Sequence, residues 1–150
     1  MSTEKSPASP QASELSPRKA VLARAFTGIN KGDLKPILTS AASHISKAAA
    51  DIHASMIKAF PDMKVHVEDT IEEGDKVVTR WTFTGTHKGE GVHPVMGKIK
   101  PTNKRIKVSG ITIHQIQDGK IVQTWGESNQ LSALEQLGLL NQFATKSPQH

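Results

Sequence analysis

The spacing of apolar residues changes once along the chain, near residue 60, and divides it into a helical part and a sheet part. From Ser43 to Phe60, Ile45, Ala48, Ala49, Ile52, Met56 and Phe60 recur at three- and four-residue intervals, the mark of an amphipathic helix. Pro61 ends it. Upstream, Ser16-Pro17 reads as an N-cap followed by proline at the first helical position, and Ala20, Val21, Leu22, Ala23, Ala25, Phe26 and Ile29 carry that helix to Gly32. Asp33 to Leu38 form a short second helix with Asp33 as its cap. Beyond Pro61 the period is two. Val65, Val67 and Ile71 face one way and His66, Glu68 and Thr70 the other, as in a half-buried strand, with Asp69 interrupting the apolar row.

Glu72-Glu73-Gly74-Asp75 is a hairpin turn, and the return strand alternates Val77, Thr79, Trp81 and Phe83 against Val78, Arg80, Thr82 and Thr84 until about His87. Residues 88 to 104, punctuated by Gly and Pro and rich in lysine, read as a long connection placed to cover the mouth of a cavity. Two further strands, 105 to 117 and 119 to 127, meet at the hairpin signal Asp118-Gly119. A closing helix from Gln130 to Leu140 presents Leu131, Leu134, Leu137 and Leu140 to the core. Helices followed by an antiparallel meander give an α+β fold in which helices pack on one face of the sheet.

A chain of 150 residues fits one domain, here 16 to 142. The segment 1 to 15, rich in Ser, Pro, Ala and Glu, reads as a disordered tail, and 143 to 150 as a polar one. With 36% apolar and 22% charged residues, no long apolar run and no hydrophobic N-terminal stretch, the expectation is a cytoplasmic protein with no membrane partner. The absence of cysteine excludes disulfides, thiolate ligands and thiol nucleophiles. The net charge of +5 collects partly at Lys98, Lys100, Lys104, Arg105 and Lys107, but no aromatic interleaves that run and the chain has no tyrosine. It reads as a solvated loop entering a strand, and no nucleic-acid partner is expected. His44 and His53 lie nine residues apart, which is not a one-face ligand spacing, so no metal is expected; no phosphate-cradling loop is present, and no cofactor is expected.

The order Ala59-Phe60-Pro61-Asp62, Gly85-Thr86-His87, Gly110-Ile111-Thr112-Ile113, Asp118-Gly119-Lys120-Ile121-Val122 and Gln136-Leu137-Gly138 resembles that of the SnoaL-like polyketide cyclases, over about residues 17 to 140. The resemblance implies the cone-shaped fold named after nuclear transport factor 2, with a strongly curved antiparallel sheet, N-terminal helices packed on it and a cavity for a small hydrophobic molecule. It also implies cofactor-free acid/base chemistry, an intramolecular aldol condensation or a related isomerisation. In such cyclases an aspartate follows a cavity-lining strand tryptophan by four residues and acts as acid/base. This chain reads Trp125-Gly126-Glu127-Ser128-Asn129, with an amide in that place. Family members also carry an extended segment with a cavity-facing histidine before Ala59, where this chain has small residues leading into helix and His44 as a stand-in.

Trp125, Glu127 and Asn129 share parity, which places them on one sheet face if the strand continues through them. An amide donates but never accepts a proton as a base, so Asn129 is an oxygen-stabilising donor and the base falls to Glu127, His87 or His114. Trp125, Trp81 and Phe83 form the apolar wall of the pocket. Asp69 is either a base of raised pKa or a structural hydrogen-bond acceptor, and His87 either faces the pocket or binds backbone. Two functions stand: a cyclase or isomerase, and a non-catalytic ligand-binding or dimerisation module of the same fold. Apolar residues on both parities of the strand from Arg105, with Ile106 and Val108 on one and Ile111 and Ile113 on the other, predict a homodimer across the sheet.

Overall fold

The computed structural model describes residues 15–93 and 96–142, so the two expected tails lie outside the described residues except for Leu15. Three helices come first: α1 (Pro17–Lys31), α2 (Lys35–Ser40) and α3 (Ser43–Ala59). α1 starts at its sequence cap, where Ser16 Oγ accepts the Lys19 N–H at 3.2 Å, and stops at Gly32, whose φ of 71° is a left-handed conformation that disfavours a β-carbon. At the start of α2, Asp33 Oδ1 accepts the Lys35 N–H at 3.0 Å.

The long strands β1 (Lys64–Glu73), β2 (Lys76–Thr86), β5 (Arg105–Gln117) and β6 (Lys120–Ser128) form an antiparallel sheet in the order β1-β2-β5-β6, which is open at both edges. The connection between β2 and β5 folds into its own small hairpin, β3 (Gly91–His93) and β4 (Gly97–Ile99). It is not a free cover for a cavity mouth. Ala59 O at the end of α3 accepts the N–H groups of Lys88 and Gly89 at 3.0 and 3.1 Å, and Met96 is buried in the core. The closing helix α4 (Gln130–Gln136) is shorter than expected; Leu134, Leu137 and Leu139 enter the core, whereas Leu131 is exposed.

Side chains directly opposite each other on paired strands share a face. The inner face therefore carries Val77, Thr79, Trp81 and Phe83 of β2 against His114, Thr112, Gly110 and Val108 of β5. Two bulges decide what the edge strands add. In β1, Val67 pairs with Trp81 but Asp69 with Arg80, so Glu68 is an extra residue and the alternation inverts. Asp69 and Ile71, expected on the apolar face, consequently point outward. In β6, Ile121 pairs with Ile116 but Gln123 with Gln115, so Val122 is extra and the inner positions become Thr124, Gly126 and Ser128. Trp125 pairs with Ile113 and Glu127 with Ile111, both on the outer face.

The expected loss of an early strand is visible beside β6. Ala41 makes a single parallel bridge to Ile121, Ala42 N–H donates to Ile121 O at 2.8 Å, and His44 Nε2 donates to Val122 O at 3.0 Å. His44 thus pins α3 to the sheet edge and is exposed, and Gln123 to Ser128 continue as an edge strand.

Two apolar clusters hold helices to sheet. The larger joins Ala25, Ile29, Phe60, Phe83, Val108 and Leu134; the smaller joins Val21, Leu22, Val77, Ile116 and Ile121; Phe26 packs against both. At about 25 cal/mol per Å² of apolar surface removed from water, these side chains supply most of the force that seats α1 on the sheet.

Candidate functional site

Between the two clusters the inner sheet face turns polar. Thr79 lies directly opposite Thr112, and His114 opposite Val77, on adjacent strands. The Trp81 indole Nε1–H donates to Thr112 Oγ1 at 2.8 Å, which leaves the Thr112 hydroxyl proton free to donate in turn. Thr79 is fully buried, and its Oγ1 and His114 Nδ1 are both buried without a hydrogen-bond partner. Orphaned buried polar atoms cost about 1–3 kcal/mol each, so a site that keeps two side by side calls for an explanation.

His114 packs edge-on against Phe26, ring centroids 6.5 Å apart. Burial pushes its pKa down to about 4, and the nearness of His53 acts in the same direction. Its imidazole is therefore neutral at pH 7, with one ring N–H to donate. His53 comes from α3, which covers this part of the site. Ile45, Ala49, His53 and Met56 recur on one side of α3, yet each is only half-buried, and Ala59 alone in this helix is fully buried. The stripe of α3 that faces the sheet is thus only partly closed on the core, while Thr79 Oγ1 and His114 Nδ1 in the polar belt beneath it are buried.

The residues singled out in the sequence divide as follows. His114 and Trp81 stand on the belt. Phe83 shares their face but is 5% exposed and packs edge-on against Phe60, centroids 5.1 Å apart, as core. His87, 2% exposed, also faces inward, but it is locked into the connection: its Nδ1 accepts the Thr102 N–H at 3.2 Å and its ring lies on Phe60. Burial holds its pKa below the ordinary value, against a hydrogen bond to the Gly89 backbone that acts in the opposite sense. Asp69, turned out by the bulge, bonds Arg80 Nε at 2.6 Å on the surface. Trp125 and Glu127 are exposed on the outer face, with Lys76 Nζ 5.6 Å above the Trp125 ring. Asn129 lies past the strand end and caps α4, its Oδ1 accepting the Ser132 N–H at 3.0 Å. Such a cap contributes about 1 kcal/mol to stability.

Asn129, Glu127, His87 and His114 therefore do not converge on one place. Thr79 and Thr112 are not among the residues the sequence singles out, and His53 enters there only beside His44 as a spacing that makes no metal site. The signal for His53 was its place four residues after Ala49 on the apolar stripe of α3. Elsewhere, a groove of about 450 Å³ opens to solvent between α1 and α2, lined by Arg24, Thr27, Lys31, Lys35 and Thr39, away from this belt. Among the described residues no group of three or more His, Cys, Asp or Glu is arranged to hold a metal ion, and no helix is long and apolar enough to cross a membrane.

The sequence model of the SnoaL-like polyketide cyclases matches residues 21–137. Solved structures with the same fold include TsrD from Streptomyces laurentii, 25% identical over 85% of this chain and 100% of that one, TM-score 0.73. AclR from Streptomyces galilaeus is 28% identical over 81% of this chain and 80% of that one, TM-score 0.71. A SnoaL-like polyketide cyclase from Agrobacterium tumefaciens shares the fold at 14% identity, over 83% of this chain and 100% of that one, TM-score 0.69. No curated protein sequence matches.

Proposed function

The chain belongs to the SnoaL-like polyketide cyclase family, and from that premise we propose that it performs cofactor-independent acid/base chemistry on a small hydrophobic carbonyl compound, bound between α3 and the inner sheet face. The observation that carries the reading is the pair of buried, unpartnered polar atoms, Thr79 Oγ1 and His114 Nδ1, beneath a half-wet helix. A carbonyl oxygen brought to this belt meets the hydroxyls of Thr79 and Thr112 and the imidazole of His114, donors that stabilise the charge developing on an enolate oxygen. Trp81, held by Thr112, and Phe26 supply flat apolar walls for the rest of the molecule.

The test is α-hydrogen exchange of 2-tetralone, an apolar ketone, in D2O at pH 7 without added metal or cofactor. Folded protein is expected to accelerate exchange over buffer, and His114→Phe to slow the protein-dependent rate about 100-fold, as for loss of one oxyanion donor. Exchange no faster than with heat-unfolded protein defeats the reading. A second reading, a non-catalytic ligand-binding module, is favoured by the placement of Asn129, Glu127 and Asp69, none of which brings a carboxylate to the belt. It predicts that the ketone binds and leaves unchanged.

The protein is further proposed to act as a cytoplasmic homodimer joined through the outer sheet face. Ile71, Val78, Ile113 and Trp125 align across all four strands, with Ile71 65% and Trp125 45% exposed, a row of apolar surface costly to leave in water. Sedimentation at micromolar concentration is expected to give a dimer, and Ile113→Asp a monomer. A wild-type monomer at that concentration rejects the interface.

A further inference from the structure

We infer that His53 is the proton acceptor over the polar belt, taking up through its Nε2 the part that the family resemblance assigns to a carboxylate and for which this chain has Asn129; the inference rests on the function proposed above. Its Nδ1 lies 2.7 Å from the carbonyl oxygen of Ala49, one helical turn back. A carbonyl only accepts, so Nδ1 carries the proton, and the neutral ring must present an unprotonated lone pair at Nε2. A base with its tautomer fixed by backbone is oriented before substrate arrives. The ring lies on the half-buried stripe of α3, between Ala49 and Met56, both of which pack against the larger apolar cluster. It is an electrostatic neighbour of His114. The sheet thus carries the donors and α3 the lone pair, which are the two groups that enolisation requires.

The step balances without any other reagent. The C–H bond beside the carbonyl breaks, its electron pair forms the enolate double bond, the carbonyl π pair moves onto oxygen at the belt, and the proton passes to Nε2. In ring closure the enolate carbon attacks a second carbonyl carbon of the same molecule, and the resulting alkoxide takes the proton back from His53. Nothing is oxidised or reduced.

The experiment pairs 2-tetralone with 2-naphthol, an aromatic analogue of its enol. In His53→Gln, 2-tetralone exchange is expected to fall about 100-fold, the lower range for loss of a general base, while 2-naphthol affinity changes by less than about threefold, because binding needs the belt and not the base. His53→Ala is expected to lose exchange likewise and to regain part of it with added imidazole. Long-range 1H–15N spectra of the wild type are expected to show His53 protonated at Nδ1. Naphthol binding with undiminished exchange in both variants, or a His53 protonated at Nε2, overturns this assignment and leaves the proposed function standing. Failure of the wild type to bind 2-naphthol or to exchange 2-tetralone overturns the proposed function, and the role of His53 with it.

Discussion

Lowering the pH from 7 to 4 removes roughly 3 kcal/mol of folding stability through His114 alone, and His114→Phe escapes that part of the loss. In the folded protein burial holds this imidazole at about 4, whereas in the unfolded chain it titrates near the ordinary 6.5. Between those values the unfolded state binds more protons, so stability falls as pH falls; above 6.5 the group contributes no penalty, and below about 4 it adds none further. The size follows from about 1.4 kcal/mol per pKa unit. His87, also held down by burial, acts in the same direction. Two carboxylates do not confound the window. Asp62, bonded by the backbone and side chain of Thr86, and Asp75, bonded by Gln117 and Gln115, are held below their ordinary 3.8, so their contributions are present above that value and are lost only as pH falls below it. Urea unfolding at pH 7, 5.5 and 4.5 measures the slope. An equal loss in wild type and His114→Phe contradicts the burial of this ring.

The second large effect is expected from one methyl group. Gly110 lies opposite Trp81 on the inner face, and a β-carbon there would come within 2.8 Å of Glu127 O on the neighbouring strand, with the indole Cη2 only 2.5 Å away. Both contacts are shorter than real β-carbons make. Gly110→Ala must therefore drive the indole off the strand and break its bond to Thr112, or part β5 from β6. Overpacking of this kind costs about 1–3 kcal/mol, and the backbone contact puts the expected loss at the upper end. The functional consequence is separable: a displaced Trp81 loses its wall and frees Thr112, so 2-naphthol affinity should drop at temperatures where the variant remains folded. Denaturant unfolding and fluorescence of Trp81 in a Trp125→Phe background check the two parts. Unchanged emission and unchanged stability would mean that Trp81 does not lie across Gly110.

Much of this was legible in the sequence because local rules carry it. The Ser16-Pro17 start, the Gly32 stop, the switch of period after Pro61 and the turns at Gly74 and Gly119 each follow from one or two residues. The small residues leading into helix where the resemblance implies an extended segment were legible too, and what remains of that segment beside β6 is the Ala41 to Ile121 bridge. Two extra residues, Glu68 and Val122, separate the observed faces from those that alternation predicts. Period-two alternation continued through Ile121 puts Trp125 and Glu127 inside; one bulge turns both out, since a slip of one residue exchanges the faces. Bulges answer to twist and cross-strand pairing, which a linear pattern does not encode. The polar belt was hidden for a related reason: Thr79 and Thr112 read as ordinary strand threonines until pairing sets them opposite each other beside His114.

The central claim is that the chemistry belongs to the inner belt under α3 and not to the Trp125 and Glu127 face. The two tryptophans report on these places separately, Trp81 bonded to Thr112 inside and Trp125 exposed outside. The decisive measurement is a 1H–15N spectrum of the two indole N–H signals, assigned through Trp81→Phe and Trp125→Phe, during titration with 2-naphthol. The expected result is a saturable shift of the Trp81 signal with the Trp125 signal unmoved. A saturable shift of Trp125 with Trp81 unmoved would contradict the account and return the site to the outer face.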